Sequence, residues 1–274
     1  MSATTTQTLN DSSGYQKAVT IYDALLRTRQ TQAITPQGGR MITDTFYDTR
    51  GWTRASYNGW WDDASLPAVS TPVSAADLGK QVPNQTFTTY DGLGRAVIVA
   101  AAKNGVTVST TTTVHGGDRT TVVPPAGGVV SATLTDGLGR KKELREYSVR
   151  PTVTTPSDTF TGTFAVSGGT ATISKYGYDE HGNQSTLTDA SNNVWTSTYN
   201  LLGQVVAKSD PDAGSSSMSY DANGNLQEST DGRGKTLSYT YDLFRPGLDG
   251  DIETWEEHQR CRHRRSTTMS CVSV

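Results

Sequence analysis

Chemistry in this chain would have to come from few residues. His258, Cys261, His263 and Cys271 carry the ligand atoms that zinc favours. Their spacing matches no closed tetrahedral pattern, and little apolar sequence surrounds them to fold around an ion. Asp221-x-Asn223-x-Asn225 has the oxygen spacing of a calcium loop. Such a loop needs a glycine after the third ligand and a glutamate at its twelfth position. Here Gly224 falls between the second and third, and the twelfth position is Gly232. The expectation is turn capping, and no metal site.

The other candidates fail on geometry. Gly92, Gly94, Gly137 and Gly139 make Gly-x-Gly pairs, but no helical pattern follows to bind a phosphate. His115 and His181 each precede a turn glycine, and no Ser or Cys nucleophile with an oriented base assembles around them. Asp62-Asp63 and Glu256-Glu257 are adjacent surface acids, which select no glycosidase pair. Arg260, Arg262, Arg264 and Arg265 lack interleaved aromatics and read as a solvated charge run. Trp60 and Trp61 remain, with Trp52 nearby. Exposed together they would form a stacking platform for a glycan; buried, they anchor a loop. The expected catalytic, metal and cofactor sets are therefore empty, and the chain is expected not to be an enzyme.

Composition agrees. The 274 residues include 27 glycines and abundant threonine, while hydrophobic residues are 34% and charged residues 19%. This suits many short strands and turns better than a compact enzyme core. A formal net charge of −3 argues against a nucleic-acid partner. No apolar run is long enough to span a membrane as a helix, and residues 1–8 lack the basic and apolar segments of a signal peptide.

What must position these residues is a repeat. Turns led by Tyr178, Tyr199, Tyr220 and Tyr241 begin 21 residues apart, with turns led by Thr188, Ser209 and Thr230 halfway between. The second residues are Asp179, Asp189, Asn200, Asp210, Asp221, Asp231 and Asp242. An Asp or Asn side chain caps backbone N–H groups ahead of it, and a glycine three residues later takes the positive φ that closes the turn. The intervening runs, such as Val194–Tyr199, are rich in Val, Thr and aromatics and alternate as strands do. A single small hairpin is not stable, so consecutive units must pair into one antiparallel sheet.

Earlier stretches carry the same signal less regularly. Tyr22-Asp23 and Tyr47-Asp48 lead two degenerate units within residues 1–56. Residues 57–86, with Trp60, Trp61, Pro67, Pro72 and Pro83, read as an insertion wrapping over the sheet, with one helical turn at 74–79. Regular units resume over 87–250. Tyr90-Asp-Gly-Leu-Gly-Arg95 and Thr135-Asp-Gly-Leu-Gly-Arg140 nearly duplicate each other. The intervals from Asp91 to Asp136 and on to Asp179 each suggest two units with a disguised middle turn. No linker divides the chain into domains. Residues 251–274 shift abruptly in composition and read as a divergent, disordered tail; a frameshifted or fragment end, a natural tail and an effector remnant are the alternatives.

The motifs at 90–95, 178–183 and 220–225 resemble the YD repeats of the bacterial RHS family, of teneurins and of insecticidal toxin-complex shells. The resemblance covers about residues 15–245. It implies an all-β fold in which antiparallel hairpins form part of a curled sheet, the wall of a shell enclosing a C-terminal effector. Tyr90, Tyr178, Tyr199, Tyr220 and Tyr241 would be packing residues. Asp91, Asp136, Asp179, Asp221 and Asp231 would be turn caps, and Gly94, Gly139, Gly182, Gly203, Gly224 and Gly234 turn glycines. The implied partners are the remainder of a longer RHS-type protein and its effector. The implied location is secreted or at the cell surface, within that larger protein. The chain is too short for a whole shell and lacks the block that precedes a family effector, so an internal slice is expected. The competing expectation is a surface module binding glycans through Trp60 and Trp61.

Overall fold

The computed structural model describes residues 2–9, 15–68 and 71–241. Among them there are twenty strands and no helix, and every ladder in register is antiparallel. The described residues form two compact units, those within 2–138 together with 145–172, and 139–144 together with 173–241. The chain was expected to show no division.

The first unit is a meander of β1 (Ser2–Leu9), β2 (Tyr15–Tyr22), β3 (Thr28–Ile34), β4 (Arg40–Tyr47), β5 (Thr53–Asp62), β6 (Gln85–Tyr90), β7 (Ala96–Lys103), β8 (Val106–His115), β9 (Arg119–Val123) and β10 (Val130–Thr135). Each strand pairs with the next. After β11 (Lys141–Val149), β12 (Thr152–Thr154) pairs with β13 (Ala165–Ser167) in a separate hairpin. The chain then enters the second meander: β14 (Thr170–Tyr178), β15 (Gln184–Thr188), β16 (Val194–Tyr199), β17 (Val205–Asp210), β18 (Gly214–Tyr220), β19 (Leu226–Thr230) and β20 (Thr236–Ser238).

The core lies on one face of the first unit. Register aligns Val19, Gln32, Ile42 and Trp60 in one row across β2–β5. Residues 63–68 and 71–84 lie over this face, where Ala75 and Val82 pack with Ile42 and Trp60. The Leu78 N–H donates to the Ser74 carbonyl at 3.2 Å, the helical turn expected there. The insertion is shorter than expected, because β5 runs to Asp62 and β6 begins at Gln85. Asn58-Gly59, inside the stretch expected to be an insertion, is a β-bulge: Ile42 faces Trp60 while Asp44 faces Tyr57. Gly59 has φ 73°, a conformation that costs a side-chain-bearing residue about 1–2 kcal/mol.

The two long intervals resolve differently. Between Asp91 and Asp136 lie four strands, β7–β10, with the disguised turn at residues 116–118. Between Asp136 and Asp179 only β11 and β14 lie outside the small separate β12–β13 hairpin, so the expectation of two units there is wrong. Its length is taken up by residues 150–169, which include the β12–β13 hairpin. Thr159 Oγ1 donates to the Tyr90 carbonyl at 3.2 Å, and Arg50 stacks on Phe160 at 3.8 Å, tying that excursion to the turns at 48 and 91. The expected tail, residues 251–274, and Asp242 lie outside the described residues.

Candidate functional site

Each turn is built around one carboxylate or amide oxygen. Asp179 Oδ1 accepts the N–H groups of His181 and Asn183 at 3.0 and 2.8 Å. The Gly182 N–H donates to the Asp179 carbonyl at 3.1 Å, and the Asp179 N–H to the Asn183 carbonyl at 2.9 Å. Asp221 holds Asn223 and Asn225 in the same way, so both carboxylate oxygens of the first residue that suggested calcium are engaged with the chain itself. Asp91 holds Leu93 and Arg95, Asp231 holds Arg233 and Lys235, and Asp136 holds Leu138. Asn200 does the same work without a charge, accepting from Leu202 and Gln204 at 3.0 Å each. Gly94, Gly139, Gly182, Gly203, Gly224 and Gly234 all have φ between 74° and 90°.

The carboxylates respond to these bonds. The side-chain amides of Asn183, Asn193 and Asn225, with the backbone N–H groups, hold Asp179, Asp189 and Asp221 below the ordinary aspartate range. These donors stabilise the charged form.

The tyrosines join one turn to the one before it. Tyr199 Oη donates to the Gln184 carbonyl, and Tyr220 Oη to the Val205 carbonyl, both at 2.8 Å. Tyr178 reaches Lys141, Tyr90 reaches Thr53, and Tyr47 reaches Thr28. In each case the acceptor lies five residues after the Asp or Asn of the preceding turn on that edge. The reason is visible in the ladders. β15 and β16 pair only as far as Thr186 and Thr196, and β17 and β18 only as far as Ala207 and Ser217. Gln184 and Val205 each lie two residues beyond the last pair. The tyrosine hydroxyl supplies a donor where the ladder stops. The closing arginine adds to this contact: Arg27 stacks on Tyr47 at 4.2 Å and Arg140 on Tyr178 at 4.4 Å. Tyr241 is the last described residue.

Trp60 and Trp61 do not form a platform, nor are both buried. They are consecutive on β5 and point to opposite faces, Trp60 1% exposed and Trp61 47%. Trp60 Nε1 donates to Asp44 Oδ2 at 2.8 Å, inside a polar cluster that the sequence did not single out. Asp44 Oδ1 accepts from Gln30 Nε2 at 2.7 Å and from Arg29 Nη1 at 3.0 Å. Gln32 links Gln30 to Arg40, and Arg40 pairs with Asp62 at 2.8 Å. The cluster is a clamp. Gln30 donates to the Val73 carbonyl at 2.7 Å and accepts the Val73 N–H at 3.1 Å, while Gln32 accepts the Ala68 N–H at 3.1 Å. Its one sequence signal was Gln30-x-Gln32, two polar side chains on the same face of a strand otherwise facing the core.

The opposite faces are lined with small hydroxyls. In the second unit Thr186, Thr196, Ser209 and Ser215 form one row across the strands, and Thr198, Ala207, Ser217, Thr230 and Thr236 another. A shallow, open depression of about 370 Å³ lies over them. Among the described residues no group of three His, Cys, Asp or Glu side chains could hold a metal ion. No helix there is long and apolar enough to cross a membrane, which says nothing of strands.

Comparison with known proteins fits this architecture. Residues 169–215 and 220–245 match the profile of the RHS Repeat family. No curated protein matches the chain. Solved structures do. The crystal structure of TcdB2-TccC3-TEV superposes with a TM-score of 0.59 at 15% identity over 88% of this chain. TcdB2-TccC3 gives 0.58 at 16% identity, and the Tc holotoxin pore of Photorhabdus luminescens 0.58 at 15%. At this identity the likeness is one of fold. The chain spans 13% of the TcdB2-TccC3 chain and 12% of the holotoxin chain.

Proposed function

We propose that this chain is a wall segment of an RHS-type shell that encloses or displays a C-terminal effector, and that it has no chemistry of its own. The observation that carries this reading is the row of tyrosine ties. Each one joins a turn to the preceding turn on the same edge, so the repeated residues are spent on extending the sheet. A binding or catalytic site needs a local departure from a repeat, whereas here the motif residues serve the repeat itself. The family match and the shared fold support the same reading. Its partners would be the remainder of a longer RHS-type protein and the enclosed polypeptide, in a toxin complex that is secreted or held at a cell surface.

Reading the parent gene tests this directly. Tyr-Asp units should recur in frame at about the same step beyond this chain; flanks without them would overturn the proposal. Glycan binding is the competing reading, now resting on exposed Trp61 and on half-buried Trp52, whose ring packs against Tyr90. A glycan array with tryptophan quenching should show no saturable ligand. Saturable binding lost in Trp61→Ala, with the fold intact, would favour the adhesion module instead. Hydrolysis of any substrate by the purified chain would overturn both.

A further inference from the structure

Two of the bulges beside the Tyr-led turns carry an arginine. In each of six hairpins one residue is left without a partner just after the turn: Arg29, Arg54, Val97, Ser185, Val206 and Gln227. A bulge re-aims the side chain it frees. Of these residues Arg29 and Arg54 are charged, and they stand in adjacent hairpins, a local departure from the repeat. Both line one open depression of about 320 Å³, with Asp23, Arg27, Phe46 and Tyr47. Strands β3, β4 and β5, which carry the two bulge arginines and the two aromatic rings, are each paired on both sides. Both flanks of the site therefore lie within this chain.

We propose that this depression binds a phosphate group, either the free ion or the end of a phosphomonoester. Two of its guanidiniums are held flat in advance: Arg27 stacks on Tyr47 at 4.2 Å and Arg29 on Phe46 at 3.8 Å. Tyr47 is itself fixed by its bond to the Thr28 carbonyl at 3.0 Å. Each of these arginines uses one edge on a carboxylate. Arg27 gives Nε and Nη2 to Asp23 Oδ2 at 2.7 and 2.6 Å, and Arg29 gives Nη1 to Asp44 Oδ1 at 3.0 Å. A guanidinium has five N–H donors, so both keep others to offer. Arg54 is exposed, and among the described residues it pairs with no carboxylate. Three guanidinium charges against two carboxylates leave the site net positive. A carboxylate is satisfied by one arginine fork, whereas a phosphate has oxygens for several. Guanidiniums from three separate elements, the turn at 23–27, β3 and β5, therefore favour the tetrahedral anion.

Calorimetric titration of the full chain with inorganic phosphate, at constant ionic strength, should show saturable binding at a single site. Acetate should bind about tenfold more weakly, because it has fewer oxygens to share among the arginines. Arg54→Gln should weaken phosphate by about tenfold with an unchanged circular dichroism spectrum, since Arg54 pairs with nothing that holds the fold. Lys208→Gln, an exposed cation of the second unit, should leave binding as it was. Glycerol 3-phosphate tells the two sources apart: tighter binding than the free ion assigns the site to a phosphomonoester, and equal or weaker binding assigns it to the free ion. No saturable binding of either phosphate, acetate binding as tightly, full affinity in Arg54→Gln, or loss in Lys208→Gln would each overturn the proposal.

Discussion

Leu26 stands where the turns led by Tyr47, Tyr90, Tyr178, Tyr199 and Tyr220 place glycine, and it keeps their backbone. Its φ is 60°, and its side chain is 71% exposed with no burial to offset the strain. Leu26→Gly should therefore stabilise the first unit by about 1 kcal/mol in denaturant melts, the left-handed penalty being about 1–2 kcal/mol less glycine's entropy. Gly224→Ala makes the reverse change at φ 86° and should destabilise by about 1 kcal/mol or more. The capping aspartates add a dependence on pH. Asp179, Asp189 and Asp221 have lowered native pKa values, first through the side-chain amides of Asn183, Asn193 and Asn225. Their contribution is complete above the ordinary aspartate value of about 3.9 and is lost as pH falls below it, through the lowered native values. Asn200 shows that a neutral amide keeps both backbone bonds. Replacing all three by asparagine should preserve the sheet at neutral pH and flatten the acid limb of stability. An unchanged acid midpoint would place that limb elsewhere.

Between elements, the tie and the clamp make distinct predictions. Tyr199→Phe keeps the ring and removes the donor to the Gln184 carbonyl, so it should cost about 0.5–1.5 kcal/mol. Tyr199→Phe and Tyr220→Phe act on different gaps between strands, and amide exchange should quicken around Gln184 in one and Val205 in the other. No local change in either would remove the ties from the account of stability. Gln30→Ala leaves the buried Asp44 carboxylate and the Val73 backbone short of partners, at about 1–3 kcal/mol. Residues 63–84 should then become the first site of limited proteolysis, while the β3–β4 ladder persists. Cleavage no faster than in the unaltered chain would mean that the apolar contacts of Ala75 and Val82 hold the wrap unaided.

Across the molecule, stability should be uneven. Every fully buried hydrophobic side chain among the described residues belongs to the first unit, from Val19 to Leu134. In the second unit Tyr176, Leu187 and Trp195 share a row on one face, yet none is fully buried. A sheet with no fully buried side chain among its described residues has little burial to offset the entropy of ordering it. Hydrogen exchange should therefore show the slowest amides in β2–β5 and the fastest ladder amides in β16–β20. Equal protection in both units would require a cover for the second sheet.

The turns were legible in the sequence because they are local. An Asp or Asn four residues before the residue that closes the turn, with glycine between them, satisfies its own N–H groups whatever lies elsewhere. The 21-residue step then places every second turn on the same edge, and alternation along Val194–Tyr199 gives the two faces. The tertiary structure alone decided the rest, because it depends on register. The bulge at Gly59 shifts the alternation by one, so Trp60 joins Tyr57 in the core and Trp61 is turned outward. The interval from Asp136 to Asp179 has the length of two units and the fold of one, since chain length does not reveal which strands pair. Gln30 and Gln32 look like surface residues until Val73 and Ala68 lie over them. A backbone passing over a sheet needs donors and acceptors from it, and which side chains supply them is fixed by where that backbone comes to rest.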